Sequence, residues 1–258
     1  MSVIQFDVQN NIGTIRFNRP DKYNAFNKEM AMAVQEALDE CATRKEVRCI
    51  LITGEGKAFS SGQDLKEVTD PDGPELADIV KHHYNPIIER LRRIEKPVVA
   101  AVNGVAAGAG ANIALACDII LAKSSASFIQ AFSMIGLIPD SGGTYFLPRL
   151  VGFQRALALA MLGEKVSASQ AESMGMIYKS VEDEAFNGEI EKITQKLSRM
   201  PTRGLGLTKR AFNFGLVNDI KGQLEVEQML QTEAGMSYDY QEGVAAFLEK
   251  RKPQFKGE

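Results

Sequence analysis

Three continuous apolar runs constrain this chain most: Arg48–Thr53 (RCILIT), Pro97–Val102 (PVVAAV) and Ile119–Ala122 (IILA). An alternating strand keeps one face in water, whereas an unbroken apolar run needs both faces covered. Between the runs lie segments with helical spacing. One begins near Asn27, a plausible cap, and places Met30, Met32, Val34 and Leu38 at roughly helical intervals; another covers Asn85–Ile94. Buried strands alternating with helices predict an α/β fold with a largely parallel sheet wrapped by helices. Two further β-rich runs, Val3–Val8 and Gly13–Asn18, open the chain on either side of the turn-like Gln9-Asn10-Asn11.

From about Phe153 the pattern becomes helical, over Gln154–Leu162, Ser169–Met174, Glu189–Leu197, Gln223–Gly235 and Gln241–Lys250. Ile177–Val181 is the one strand signal left. No low-complexity linker intervenes, so the expectation is an α/β core over residues 1–195 and a docked helical region over 196–258. A chain of 258 residues can bury one substantial core with a smaller helical unit against it.

Composition works by exclusion. Thirty Lys and Arg against 33 Asp and Glu give a net charge of −3, which offers no basic field for nucleic acid. No segment approaches the roughly 20 apolar residues of a membrane span, and the first residues do not read as a signal peptide. No membrane partner and a cytoplasmic location are expected. Cys41, Cys49 and Cys117 are odd in number and widely spaced, and His82 and His83 are adjacent. That pattern lacks metal-ligand spacing, so reduced thiols and no metal are expected, with Cys117 in the core.

Three segments combine small residues with a change of periodicity. Lys57–Leu65 (KAFSSGQDL) and Asn103–Asp118 (NGVAAGAGANIALACD) each follow a buried strand. Small residues at a helix start leave N–H groups accessible to an anion or a developing oxyanion. The same residues also suit a tight turn that needs glycine for packing alone. The string Gly108-Ala109-Gly110-Ala111-Asn112-Ile113 lacks the third glycine of a dinucleotide fingerprint, and no G-K-[ST] follows. The third segment, Ile135–Thr144 (IGLIPDSGGT), carries Asp140, by itself either a turn residue or helix cap or a carboxylate at a site.

Six segments in order resemble the crotonase (enoyl-CoA hydratase/isomerase) superfamily: NRPDKYNAF at 18–26, KAFSSGQDL, PVVAAVNGVAAGAGANIALACD, IGLIPDSGGT, LGEKVSASQAESMGM at 162–176 and EGVAAFLEKRKPQF near the end. The resemblance implies a ClpP-like spiral of ββα units and a helical C-terminal region that builds a homotrimer, often a dimer of trimers. It implies an acyl-CoA substrate, with coenzyme A present as part of the thioester and no tightly bound cofactor. Two backbone N–H groups would hold the thioester oxygen, and by position these belong to Gln63 and Ala109. The family usually has glycine at the second position, and if positive φ is required there, alanine would cost about 1–2 kcal/mol. Lys22, Tyr23, Ala25, Ser61, Gly62, Asp64, Leu65 and Lys66 match the coenzyme A path, and Lys256 a phosphate contact from a neighbouring subunit. Gly110, Asn112, Phe132, Met134 and Tyr145 would shape the acyl pocket.

The family's hydratases hold water between two glutamates, and those positions carry Asn112 and Phe132 here. Neither moves a proton, and Phe132 dries the site. Asp140 is the remaining carboxylate, at a position that is acidic in isomerase and dehalogenase branches. The resemblance therefore favours an acyl-CoA isomerase over a 2-enoyl-CoA hydratase or a non-catalytic CoA-ester binder. A dehalogenase would also be expected to have a His base and a Trp at the site; the chain has no Trp, and His82 and His83 are expected elsewhere.

Overall fold

The computed structural model describes residues 2–258. β1 (Ile4–Gln9) and β2 (Ile12–Phe17) form an antiparallel hairpin whose turn residues Asn10 and Asn11 take φ of 51° and 64°, a region asparagine tolerates. α1 (Lys28–Thr43) starts where expected, since the Asn27 side chain accepts from the Met30 N–H at 3.1 Å. There follow β3 (Cys49–Gly54), β4 (Ala58–Ser60), α2 (Leu65–Thr69) and α3 (Leu76–Asp78), which runs through a π-helical turn at Ile79–Tyr84 into α4 (Asn85–Arg93). Next come β5 (Val98–Val102), β6 (Val105–Ala107), α5 (Ala109–Leu115), β7 (Ile119–Lys123), β8 (Ser127–Ile129), a 3-10 turn at Ala131–Ile135 and α6 (Gly143–Val151). The remainder is α7 (Phe153–Leu162), β9 (Lys165–Ser167), α8 (Ala168–Ser173), β10 (Lys179–Val181), α9 (Phe186–Ser198), α10 (Thr202–Gly215), α11 (Ile220–Gly235) and α12 (Tyr238–Leu248).

The large sheet has the order β1-β2-β3-β5-β7-β10, parallel except for the opening hairpin. Its central strand β5 is buried at every residue, as its unbroken apolar run requires. A second sheet, β4-β6-β8-β9, stands beside it. Each of β3, β5 and β7 in the large sheet is followed by a short strand of the small sheet, and then by a helical segment. This is the repeated ββα spiral that the resemblance implied.

The small sheet was not visible in the sequence, because its strands are three residues each and show no period. α10 was also missed. Gly204 and Gly206 interrupt its helical pattern, and Gly206 is there because a Cβ would fall 2.6 Å from the Glu95 side chain. The C-terminal helices are docked. Arg48 donates to Thr202 Oγ1, Met200 O and Phe255 O at 3.0, 2.6 and 2.9 Å, and buried Lys209 pairs with Asp118 at 2.8 Å. Residue 195 falls inside α9, whose Phe186 and Ile190 pack with Val99, Leu121 and Val181 of the large sheet. All three cysteines are buried free thiols, and burial pushes each of them up to about 12.

Candidate active site

The small sheet brings two loops together. β4 and β6 pair in parallel, so the residues following Ser60 and Ala107 leave neighbouring strand ends. Gly62 has φ of 91°, and a Cβ on it would lie 2.9 Å from Ala107 O and 3.5 Å from the Ala109 nitrogen. The loops thus touch through main chain, which is why glycine is needed at 62. Gln63 bridges Phe26: the Phe26 N–H donates to Gly62 O at 2.7 Å and the Asp64 N–H to Phe26 O at 2.8 Å. This pattern turns the Gln63 N–H away from the bridge, and it meets no acceptor among the described residues. The Ala109 N–H is also without one, since Ala109 is the first residue of α5 and has no carbonyl four residues back within the helix. Positive φ falls on Gly108 (52°) and not on Ala109, so alanine carries no strain there. The cost foreseen for this departure from glycine does not arise.

Asp140 follows Pro139 and precedes two left-handed residues, Ser141 (φ 50°) and Gly142 (φ 75°). A left-handed L-residue costs roughly 1–2 kcal/mol, so Ser141, almost fully buried, is held by its surroundings. The Asp140 carbonyl accepts from the Gly143 N–H at 2.8 Å and from Asn112 Nδ2 at 2.9 Å, and its carboxylate accepts from Ser141 Oγ at 2.8 Å. The side chain does not cap α6, whose N-cap is Gly142. The helix-cap alternative for Asp140 is thereby removed, because no α6 amide donates to its carboxylate among the described residues. Burial raises the carboxyl above the ordinary range, and the Ser141 hydroxyl partly offsets this. Phe132, itself buried, places its ring 3.8 Å from where a Cβ on Gly108 would be.

Replacing Ser141 with Ala removes a donor to the ionised carboxylate and should raise its pKa further. Such bonds are worth about 1.5–3 kcal/mol, so the acid limb of the pH–rate profile should move up by about one to two units. An unmoved limb would show that the hydroxyl does not act on the reacting carboxylate.

Tyr84 was not singled out in the sequence, where it is one more residue before a helix. Its hydroxyl donates to Gln63 Oε1 at 2.7 Å, while Gln63 Nε2 donates to Glu67 Oε2 at 2.8 Å. Burial raises the Tyr84 hydroxyl pKa, and the negative charge of Asp140 raises it further, so the carboxylate and the Gln63 loop share one electrostatic environment. His83 is buried beside Tyr84 in the π-helical turn, with Nδ1 unpartnered among the described residues and its pKa lowered by burial.

The coenzyme A-path residues fall into two groups. Lys22, Tyr23, Ala25, Ser61, Gly62 and Gln63 do come together, with the Ser61 N–H donating to Tyr23 O at 2.9 Å and Ser61 Oγ to Lys22 O at 3.4 Å. Lys22, Tyr23, Leu65 and Lys66 are exposed, as a binding rim requires. Asp64 is different: its carboxylate pairs with Arg19 at 2.9 Å and accepts from the Lys66 N–H at 3.2 Å, which ties the loop down. Gly110 packs on Ser60, where a Cβ would meet the Ser60 Cβ at 2.6 Å. Asn112 is wholly buried. Met134 is 73% exposed near Gly163, and Tyr145 lies under Arg149, whose guanidinium is 3.8 Å from its ring centroid. Lys256 stacks its ammonium 4.0 Å from the Tyr238 ring on α12, so its contacts lie in the C-terminal region and not at the Lys22–Ala25 loop. Among the described residues no acidic, His or Cys cluster could hold a metal, and no helix is long and apolar enough to cross a membrane.

The sequence matches the enoyl-CoA hydratase/isomerase family over residues 7–258. It is 46% identical to the 1,2-epoxyphenylacetyl-CoA isomerase of Escherichia coli, across 100% of this chain and 99% of that protein. It is 43% identical to a Rhodobacter capsulatus protein named "Probable enoyl-CoA hydratase", across 98% of each. The crystal structure of an enoyl-CoA hydratase from Bacillus anthracis superposes with a TM-score of 0.92 at 31% identity, covering 99% of this chain and 100% of that one. Matched along nearly its whole length in sequence and in fold, the chain belongs to the enoyl-CoA hydratase/isomerase family.

Proposed function

We propose that this enzyme is an acyl-CoA isomerase in which the backbone N–H groups of Gln63 and Ala109 stabilise a thioester enolate and Asp140 carries the proton. With a 3-enoyl-CoA, the Asp140 carboxylate takes a proton from C2, the electrons pass to the thioester oxygen, and the double bond shifts as the proton returns at C4. With 1,2-epoxyphenylacetyl-CoA, the same two amides and carboxyl would serve ring expansion to the oxepin. Each amide acts on charge that grows along the reaction and contributes roughly 2.7–4 kcal/mol. Lys22, Tyr23, Ala25 and Ser61–Lys66 form the rim along which the coenzyme A moiety would lie. Exposed Phe212, Val217, Ile220, Leu224 and Phe247 on or beside the C-terminal helices supply apolar surface for a homotrimer or dimer of trimers, which sedimentation equilibrium would test.

One observation carries the proposal. The Asp140 carbonyl is held by Asn112, one of the two positions from which family hydratases handle water, and its carboxyl is poised towards protonation by burial. The likeness to relatives named hydratases favours 2-enoyl-CoA hydration as the second reading. Thioester absorbance with a 3-enoyl-CoA and, separately, with crotonyl-CoA distinguishes them. Turnover of the first without hydration of the second is expected. Rapid hydration of crotonyl-CoA would overturn the isomerase reading, and tight binding with no turnover of either would point to a non-catalytic CoA-ester binder.

A further inference from the structure

We infer that Asn112 is a positioning residue: it locks the turn that carries Asp140 to the helix that begins with the Ala109 amide. This rests on Asp140 being the proton carrier. Asn112 has no solvent-exposed surface, so its carboxamide is not a ligand-facing group. Both of its ends are engaged: Nδ2 donates to the Asp140 carbonyl at 2.9 Å, and Oδ1 accepts from Gln130 Nε2 at 2.8 Å. The direction of this relay is forced. A main-chain carbonyl can only accept, so Asn112 must present its NH₂ to Asp140 and its oxygen to Gln130. Gln130 must then present its own NH₂, and its Oε1 is left without a partner among the described residues.

The geometry explains what the relay would do. Asp140 begins a turn with two consecutive left-handed residues, and such a turn keeps its shape only if neighbours hold it. Asn112 lies one turn into α5, where its N–H donates to Gly108 O at 3.1 Å, so the same helical turn presents the Ala109 amide and grips the Asp140 carbonyl. A 1,3-proton shift requires the carboxylate to be fixed relative to the thioester oxygen, and displacement by about 1 Å can cost on the order of 100-fold. Gly143 shows how closely the amide is fitted: a Cβ there would lie 2.7 Å from Asn112 Cγ.

The test uses the full-length enzyme with a 3-enoyl-CoA. Asn112→Leu keeps a similar volume and deletes both bonds; Gly143→Ala reaches the same contact from the α6 side with Asn112 intact. Each is expected to lower kcat by about 10- to 100-fold with KM within about two-fold, and to move the acid limb of the kcat–pH profile down as Asp140 gains solvent. Asn112→Asp gives a separate signature. Its protonated carboxyl reproduces both bonds, whereas its ionised form keeps only the acceptance from Gln130 and sets a negative charge against the Asp140 carbonyl, so its activity relative to wild type should fall as pH rises. Wild-type kcat and pH profile in folded Asn112→Leu and Gly143→Ala would overturn the inference. So would a loss of kcat that merely follows a loss of folded protein with an unchanged profile. If Asn112→Leu fails to fold, Gly143→Ala decides. Asp140→Asn is assayed in parallel: full activity there would remove the premise, whereas an inactive Asp140→Asn beside a normal Gly143→Ala would remove only the role of Asn112.

Discussion

Asp140→Asn is expected to lower kcat for 3-enoyl-CoA isomerisation by about 10²–10⁴-fold, the range typical of a positioned acid/base, while acyl-CoA affinity changes little. The amide is nearly isosteric and can still accept from Ser141 Oγ, so the turn and the Asn112 contact should survive. What is lost is a group able to take up a proton and return it. A variant retaining wild-type kcat would remove Asp140 from the mechanism. The same substitution should stabilise the fold, and the sign follows from burial. The folded-state carboxyl is raised above its unfolded value, so its protonated form suits the native state. Its contribution to stability is fully present below about pH 3.9, the ordinary carboxylate pKa, and is lost as pH rises through the folded pKa. Asparagine has no charge to bury. Thermal melts should therefore show little difference near about pH 3.5 and a higher Tm for Asp140→Asn near about pH 8, by about 1.4 kcal/mol for each unit of pKa elevation. A lower Tm for the variant at the higher pH would contradict the direction of the shift.

Ala109→Pro is expected to lower kcat by about 10²–10³-fold, the effect of deleting one oxyanion donor. Proline is well tolerated at the first position of a helix, where its missing N–H has no intrahelical partner. The Ala109 N–H donates to nothing in the fold among the described residues, so no structural hydrogen bond is sacrificed. The ring carbon that replaces the hydrogen also points where a thioester oxygen would sit, so KM for acyl-CoA should rise as well. Preserved secondary structure by circular dichroism with collapsed kcat fits a donor role. Unchanged kcat in a folded Ala109→Pro enzyme would show that this amide does not bear developing charge.

Much of the site was legible because its parts are local strings. The candidate donors at Gln63 and Ala109 follow from the resemblance, because the short loops after buried strands keep a recognisable residue order. Asp140 stood out once Asn112 and Phe132 were seen in place of the two hydratase glutamates. What local order could not show was the burden each side chain carries. The Asp64 carboxylate anchors its loop to Arg19. Asn112 read as pocket lining and is wholly buried under Asp140. Tyr84 gave no signal, although its hydroxyl reaches Gln63 across a separation of 21 residues.

By itself, the sequence determined the α/β class and the large parallel sheet, because Arg48–Thr53, Pro97–Val102 and Ile119–Ala122 have no polar face to leave in water. It also determined the cap at Asn27 and the candidate amides, which depend on near neighbours in the chain. Only the tertiary structure decided that three-residue strands form a second sheet, since such strands exist through pairing and not through any period of their own. That sheet in turn decided that Gly62 meets Ala109 and placed Gln130, just after β8, against Asn112. These contacts join residues about 20 to 50 positions apart, and their energies depend on distances that no local pattern encodes.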